Sequence, residues 1–359
     1  MPQNGANFGI GTLVCLTFAE LIPIALDYRM KRREFISFIS TAAAWPLAAL
    51  AQEPGRMRRV GVLFAFFDSD PESQARIAAF QRELENLGWR EGHNIQIDYR
   101  WANGDAERFR SFSAQLVAAR PDVLVGHASP SAEALARETR TIPIIFAVVS
   151  DPVGSGLAES LSEPGKNATG FTNFATSTGA KWVEFLKALS PRLARVALLF
   201  NPATAPGRGS TYLESVEAAA RSLGIDSRHA TVSNVAQIED AIVALSGRPD
   251  SGLIVMPDVF MTNHRDLITG LAIRHMVPAI YPFSYFAEGG GLVSYGIDLS
   301  DIIRRAAGYV DKVLRGAVPS SLPVQHPDKF ELVINLKTAR ALRLDVPRIL
   351  LARANKVIE

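Results

Sequence analysis

The chain has 359 residues, of which 48% are hydrophobic and 21% are charged. This composition is typical of a globular protein of one or two domains and excludes wholesale disorder and fibrous structure. The 38 basic and 36 acidic residues give a formal net charge of +2, a near balance that does not indicate nucleic-acid binding. A single cysteine, Cys15, excludes disulfide bonds within the chain and multi-cysteine metal sites. The six histidines show no metal-ligand spacing, so we expect no metal and no cofactor.

Residues 30–51 have the order of an export signal. The basic cluster Lys31-Arg32-Arg33 precedes an apolar stretch, which ends in the small-x-small sequence Ala49-Leu50-Ala51. Arg32-Arg33 followed by Glu34-Phe35 also fits the twin-arginine pattern, and the sequence leaves the Sec and Tat routes open. We therefore predict a signal peptide and a periplasmic protein. The alternative is a buried or amphipathic helix at the start of the fold.

Residues 1–29 precede this signal. Met30 could be the native start, so we predict that residues 1–29 are a non-native or unstructured extension. The alternative is a membrane anchor at residues 8–26, an apolar run that Glu20 interrupts. An uncleaved N-terminal segment would then contact the membrane.

Short apolar runs and helical patterns alternate in the first half of the remaining chain. Strands are predicted at residues 60–64, 95–99, 122–126 and 142–149, and helices at residues 71–88, 105–119 and 131–139. Alternation of this kind predicts a parallel, doubly wound sheet.

The second half repeats this rhythm, partly in the same letters. The segment that begins at Arg59 matches the segment that begins at Arg195, and Leu87-Gly88 matches Leu223-Gly224, both at an offset of 136 residues. We therefore predict two sibling Rossmann-like lobes, an α/β fold with parallel sheets. The alternative is that the match reflects only the strand–helix spacing that any two α/β units share.

The late elements are predicted to join the lobes. A strand at 291–295 leads into an amphipathic helix at 298–314, which ends at Gly316, and another strand follows at 330–336. About three crossovers would form a multi-strand hinge that permits closure. Accordingly, we assign residues 57–170 plus 296–335 to the N-terminal lobe and residues 171–295 plus 336–359 to the C-terminal lobe.

Ligands of open α/β sheets bind beyond the carboxyl ends of the strands. Polar and aromatic side chains concentrate there in both halves, as expected for the site of a small zwitterion or a ring-bearing solute. Ser129 or Ser131 could begin a helix whose amides attract a carboxylate, and Asp151 could pair with an ammonium group. The alternatives are a serine that only caps its own helix and an aspartate that only forms a turn. The candidate ligand-binding residues are Phe66, Asp68, Ser129, Ser131, Ser150, Asp151, Thr172, Asn201, Asp258, Tyr281 and Tyr295.

The motifs of common catalytic sites are absent from the sequence. There is no P-loop and no G-x-S-x-G elbow, and the Gly154-Ser155-Gly156 segment lacks the third glycine of a dinucleotide fingerprint. His127 and Asp151 have no nucleophile fixed beside them by the pattern. We therefore expect a binding protein and not an enzyme.

Several longer motifs resemble one family. They are M-K-R-R-E-F-I at Met30, R-V-G-V-L at Arg59, E-L-E-N-L-G-W-R-E-G at Glu83, I-P-I-I-F-A-x-x-S-D-P-V at Ile142, N-x-T-G-F-T-N at Asn167, G-G-L-V-S-Y-G at Gly290 and F-E-L-V-I-N-L-K-T-A at Phe330. Across these motifs the chain resembles the ABC-transporter substrate-binding proteins of the tryptophan/tyrosine type. The segment before Met30 departs from the usual pattern.

The resemblance implies a type I periplasmic binding fold that holds an amino-acid-like or aromatic solute between its lobes. It also implies delivery to ABC permease and ATPase subunits, so that the folded part meets the membrane only through the permease. Two alternatives remain: a periplasmic sensory protein that feeds a receptor kinase, and a secreted enzyme on the same fold.

Overall fold

A computed structural model describes residues 56–173, 175 and 177–359. The predicted extension at 1–29 and the predicted signal peptide at 30–51 lie outside these residues. The described chain contains two sheets with helices against both.

The first lobe is a five-stranded parallel sheet in the order β2-β1-β3-β4-β5. Its elements are β1 (Arg58–Phe64), α1 (Pro71–Asn86), β2 (Ile95–Trp101), α2 (Ala106–Ala118), β3 (Val123–His127), α3 (Ser129–Glu138), β4 (Ile144–Val149) and β5 (Ala168–Thr172). The strands β1, β3 and β4 are apolar runs because both of their faces are covered by helices. Strand β5 extends to Thr172, so this part of the N-terminal lobe ends two residues beyond the predicted boundary at residue 170.

The second lobe repeats this order. Its elements are α4 (Thr178–Leu189), β6 (Arg195–Phe200), α5 (Ser210–Ser222), β7 (Asp226–Thr231), α6 (Val235–Val243), β8 (Ser251–Val255), α7 (Val259–Asn263), α8 (Arg265–Arg274), β9 (Ala279–Tyr281), α9 (Ser284–Glu288) and β10 (Val293–Ile297). These strands lie in the order β7-β6-β8-β9-β10, which is the order of the first sheet. The shared order agrees with the repeat in the sequence.

The last elements divide between the lobes. Helix α10 (Leu299–Leu314) packs on α1, β4 and β5 of the first lobe and buries an apolar face that includes Ile302, Ala306 and Val310. Strand β11 (Phe330–Asn335) pairs antiparallel with β10, and β12 (Lys356–Ile358) extends the same sheet to seven strands. The short helices α11 (Leu336–Ala341) and α12 (Arg348–Arg353) connect them.

The assignment of residues 296–335 to the N-terminal lobe is therefore wrong in part. Helix α10 does pack on the first lobe, but β11 belongs to the second sheet because its backbone hydrogen bonds go to β10. The described chain passes between the lobes after β5, at Asp298, and between α10 and β11. On its return, Gln325 exchanges backbone hydrogen bonds with the β5 residues Gly170 and Thr172 at 2.9 Å. Among the described residues, no helix is long and apolar enough to cross a membrane.

Candidate functional site

A cavity between the lobes lies at the carboxyl ends of the strands. Its volume is about 30 Å³, so a solute of amino-acid size could enter only while the lobes are further apart. The first lobe contributes Phe66, Ala128, Ser129, Pro130, Val148, Ser150 and Asn173, and the second contributes Thr204, Pro206, Pro257, Asp258, Val259, Thr262 and Phe283. A ligand held there would contact both lobes at once.

The first-lobe wall is built where β3 and β4 end. Ala128 has φ 69° and Val148 has φ 62°, values in the left-handed region that side chains with a Cβ rarely adopt. The pairing of β4 with β5 shifts its register between Ala147 and Val149, so Val148 forms a bulge and lines the cavity. Strained backbone of this kind tends to occur at ligand sites.

Hydroxyl groups and the N-terminus of a helix also belong to this wall. Helix α3 begins at Ser129, and no side chain caps its first turn. The backbone N–H of Ser150 donates to Ser129 Oγ at 3.3 Å, and Ser150 Oγ donates to Asn173 Oδ1 at 2.7 Å. Uncapped first-turn amides together with the Ser129 hydroxyl, whose proton is not used in these hydrogen bonds, favour an anion at this end of the cavity.

A carboxyl group dominates the second-lobe wall. Asp258 N-caps α7, where its Oδ1 accepts from Met261 N at 2.7 Å, and its Oδ2 accepts from Asn201 N at 2.9 Å. Burial raises the pKa of the Asp258 carboxyl to about 7, although these hydrogen bonds favour the ionised form. A cationic ligand group beside Asp258 would favour ionisation.

Two aromatic rings complete the lining. Phe66 comes from the loop after β1, and Phe283 comes from the loop after β9 and stacks on Tyr285. His127 packs behind Phe66, with ring centroids 5.2 Å apart. Burial lowers the pKa of His127 well below its usual value, and the Arg76 charge lowers it further, so this ring is neutral and apolar in effect.

Four of the candidate residues from the sequence line the cavity: Phe66, Ser129, Ser150 and Asp258. Two others adjoin it, since Asn201 donates to Asp258 and Thr172 precedes Asn173. Ser131 is buried inside α3.

The remaining four candidates are not part of this lining, although Asp151 lines a neighbouring cavity between the lobes together with Ser129 and Pro206. Asp68 is exposed and accepts from Ser69 N, and Asp151 closes a turn by accepting from Gly154 N at 2.7 Å. The Tyr281 ring is buried against Phe286, and the Tyr295 ring packs between Phe330 and Phe185. Neither ring therefore lines the cavity.

Sequence reasoning missed Val148, Asn173, Thr204, Thr262 and Phe283. Two of them carried a signal, because Asn173 ends the N-x-T-G-F-T-N motif and Phe283 ends the segment Tyr281-Pro282-Phe283 after β9. The bulge that exposes Val148 has no signature in a run of Ile, Phe, Ala and Val. No group of three or more potential metal ligands occurs among the described residues.

The sequence model of the family described as ABC transporter substrate binding protein matches residues 60–358. The chain belongs to this family. It is a solute-binding protein of the ABC transporter class and not an enzyme.

Three similar proteins illustrate the relationship. The tyrosine-binding protein of Clostridioides difficile strain R20291 is 28% identical over 263 residues, which are 73% of this chain and 75% of that protein. A conserved domain protein of Vibrio cholerae O1 biovar El Tor is 30% identical with a TM-score of 0.78, covering 84% of this chain and all of the other. An ABC domain from Streptococcus pneumoniae, solved in complex with L-Trp, is 27% identical with a TM-score of 0.78 and the same coverage. Both structures have the two-lobed α/β architecture of this substrate-binding protein.

Proposed function

We propose that this substrate-binding protein captures a free α-amino acid, with an aromatic side chain preferred, and delivers it to the permease and ATPase of an ABC importer. The observation that carries the proposal is the cavity, whose two walls offer opposite polar groups. A helix start with two hydroxyls faces a buried carboxyl group across an apolar space.

An α-amino acid matches these groups. The α-carboxylate would bind at the first turn of α3, beside Ser129 and Ser150, because partial positive charge collects at a helix N-terminus. The ammonium group would pair with Asp258, and an aromatic side chain would pack against Phe66 and Phe283. The L-Trp complex of the pneumococcal relative and the name of the clostridial relative support this ligand class.

The location of the protein follows from its role. A solute receptor of an importer works outside the cytoplasm, and the basic-apolar-small order of residues 30–51 supports export to the periplasm. Closure of both lobes on the solute would create the surface that the permease recognises.

Calorimetric titration of the purified protein, freed of co-purifying solute, tests the proposal. L-tryptophan, L-tyrosine and L-phenylalanine should bind with one site per chain. Tryptamine lacks the carboxylate and indole-3-propionate lacks the ammonium group, so each should bind at least about tenfold more weakly.

Matched variants locate the site. Ser150→Ala should weaken amino-acid binding, whereas Ser160→Ala, on the exposed loop before β5, should not. Failure of every amino acid to bind, together with a different solute in the mass spectrum of the purified protein, would refute the proposed ligand class.

A further inference from the structure

Four side chains beside the cavity connect the two lobes. Asp70 and Arg76 belong to the first lobe, at the N-cap and in the second turn of α1. Arg265 begins α8 and Tyr285 lies in α9 of the second lobe. We refer to Asp70, Arg76, Arg265 and Tyr285 as the clasp.

The ion pair of the clasp is bidentate. Arg265 Nη1 donates to Asp70 Oδ2 at 2.7 Å, and Arg265 Nη2 donates to Asp70 Oδ1 at 2.9 Å. The side chain of Asp70 is 5% exposed and that of Arg265 is 19% exposed. Burying a charged group without its partner costs free energy, so neither Asp70 nor Arg265 can stay buried in this geometry when the other is absent. The pair can form only while the lobes are together.

Arg76 adds a second connection. Its guanidinium carbon lies 5.3 Å from the ring centroid of Phe66 and 5.3 Å from that of Tyr285, so the cation sits between a ring of each lobe. The nearest carboxylate is that of Glu72, 3.8 Å away in the same helix. Cation–π contacts of this kind strengthen when the cation is desolvated, and Arg76 is 4% exposed.

The clasp touches the cavity wall from behind. Phe66 lines the cavity, and the Tyr285 hydroxyl lies 3.3 Å from Thr262 Oγ1, whose residue also lines it. The clasp residues themselves are not part of the lining. Ligand affinity and lobe contact are thus joined through residues that the ligand does not touch.

We propose that the clasp holds the lobes together around the ligand and sets how long the ligand stays bound. This inference rests on the proposed function. The affinity of a two-state receptor is the affinity of its binding-competent form scaled by the population of that form. Loss of the clasp lowers the population of the closed form and speeds ligand release, while the groups that contact the ligand are unchanged.

Charge exchange tests the ion pair. Arg265→Met and Asp70→Asn should each raise the dissociation rate of L-tryptophan, measured by stopped-flow competition, by at least about tenfold, with a smaller effect on association. The exchanged double variant, Asp70→Arg with Arg265→Asp, should recover a large part of the loss. Arg265→Lys, which keeps the charge but loses the bidentate geometry, should fall between wild type and Arg265→Met.

Two control variants separate the clasp from local stability. Asp105→Ala removes an N-cap carboxylate from α2, whose hydrogen bond, accepted from Arg108 N at 2.9 Å, lies within the first lobe. Arg195→Met removes a 2.7 Å ion pair with Asp250 inside the second lobe. Both should leave the dissociation rate within about twofold of wild type.

Small-angle scattering gives a readout that needs no ligand. The unliganded Arg265→Met protein should have a larger radius of gyration than unliganded wild type, and the control variants should not. If L-tryptophan does not bind wild type, the proposed ligand is wrong while scattering still tests the clasp. Unchanged scattering together with unchanged release in Arg265→Met would overturn the clasp itself.

Discussion

The hydroxyl oxygen of Ser150, at the end of β4, lies 3.1 Å from the hydroxyl oxygen of Tyr212 in α5. Ser150 belongs to the first lobe and Tyr212 to the second, so this hydrogen bond crosses the cleft at the cavity. Because the Ser150 proton is directed to Asn173 Oδ1, the tyrosine is the donor. The Tyr212 ring is fixed against Trp182, with centroids 5.3 Å apart. One hydroxyl of the lining is therefore oriented by both lobes.

Tyr212→Phe removes this donor and keeps the ring. A single neutral hydrogen bond contributes about 0.5–1.5 kcal/mol, so amino-acid affinity should fall roughly two- to twelvefold. Titration calorimetry measures the loss. Thermal unfolding of the unliganded variant should lose no more than this same amount of stability, since the packing on Trp182 persists. Tyr281→Phe, in the core outside the cavity, is the control, and an equal loss of affinity there would argue against a cross-lobe role for Tyr212.

The raised pKa of Asp258 makes stability depend on pH. In the unfolded chain an aspartate has a pKa of about 3.9, whereas in the folded protein the Asp258 carboxyl has a pKa of about 7. Between these values the folded state holds a proton that the unfolded state has released. The contribution of Asp258 to stability is therefore full below about pH 4 and is lost as pH rises through about 7. The free energy of unfolding, measured by urea at several values between pH 4.5 and 8, should lose this pH dependence in Asp258→Asn. Asp298→Asn, at the N-cap of α10, should keep it.

Ligand binding should be linked to the same proton. An ammonium group beside Asp258 favours the carboxylate, so binding below pH 7 must release a proton from Asp258. As the pH is lowered below 7, affinity should therefore fall by up to about tenfold per pH unit. Calorimetry at pH 6 in two buffers of different ionisation enthalpy counts the protons released. Equal apparent enthalpies in both buffers would mean that Asp258 does not titrate on binding.

The repeat of the lobes could be predicted because their central strands are buried on both faces and therefore have continuous apolar sequences. The same reasoning missed β7, whose residues Asp226–Thr231 are largely polar and form an exposed edge of the second sheet. It also misplaced β11, because nothing within a single strand records that its partner is the antiparallel β10.

Part of the lining could be predicted because ligand groups follow strand ends. Phe66, Ser129, Ser150 and Asp258 were found in this way. Tyr281 was included by the same reasoning, because it ends a predicted strand and is aromatic, but its ring is buried against Phe286 and not in the cavity. The cross-lobe partners Tyr212 and Arg265 could not be found, because they lie in helices and their role depends on how the lobes meet.

Gly126 sets the position of helix α3 at the cavity. A Cβ on this residue of β3 would lie 2.7 Å from the Cα and 2.9 Å from the backbone N of Ala132. Because those atoms are backbone, Gly126→Ala must push α3 away, at a cost of about 1–3 kcal/mol. Ser129 would move with the helix, so amino-acid affinity should fall as well. Gly270→Ala, where nothing lies within 4 Å of the added Cβ, is the matched control, and its unfolding free energy and affinity should match or exceed wild type.

Ala128 offers a test of backbone strain at the cavity. Its φ of 69° and ψ of 159° fall in a region that only glycine occupies readily, at a cost of about 1–3 kcal/mol for other residues. Ala128→Gly should relieve that cost, so its unfolding free energy in urea should equal or exceed that of wild type. Ala132→Gly, four residues further along and inside α3, should lose about 1 kcal/mol because glycine is unfavourable within a helix. If Ala128→Gly loses as much as Ala132→Gly, the backbone at residue 128 stores no strain, and the shape of the first-lobe wall must come from the packing of α3 and the bulge at Val148 alone.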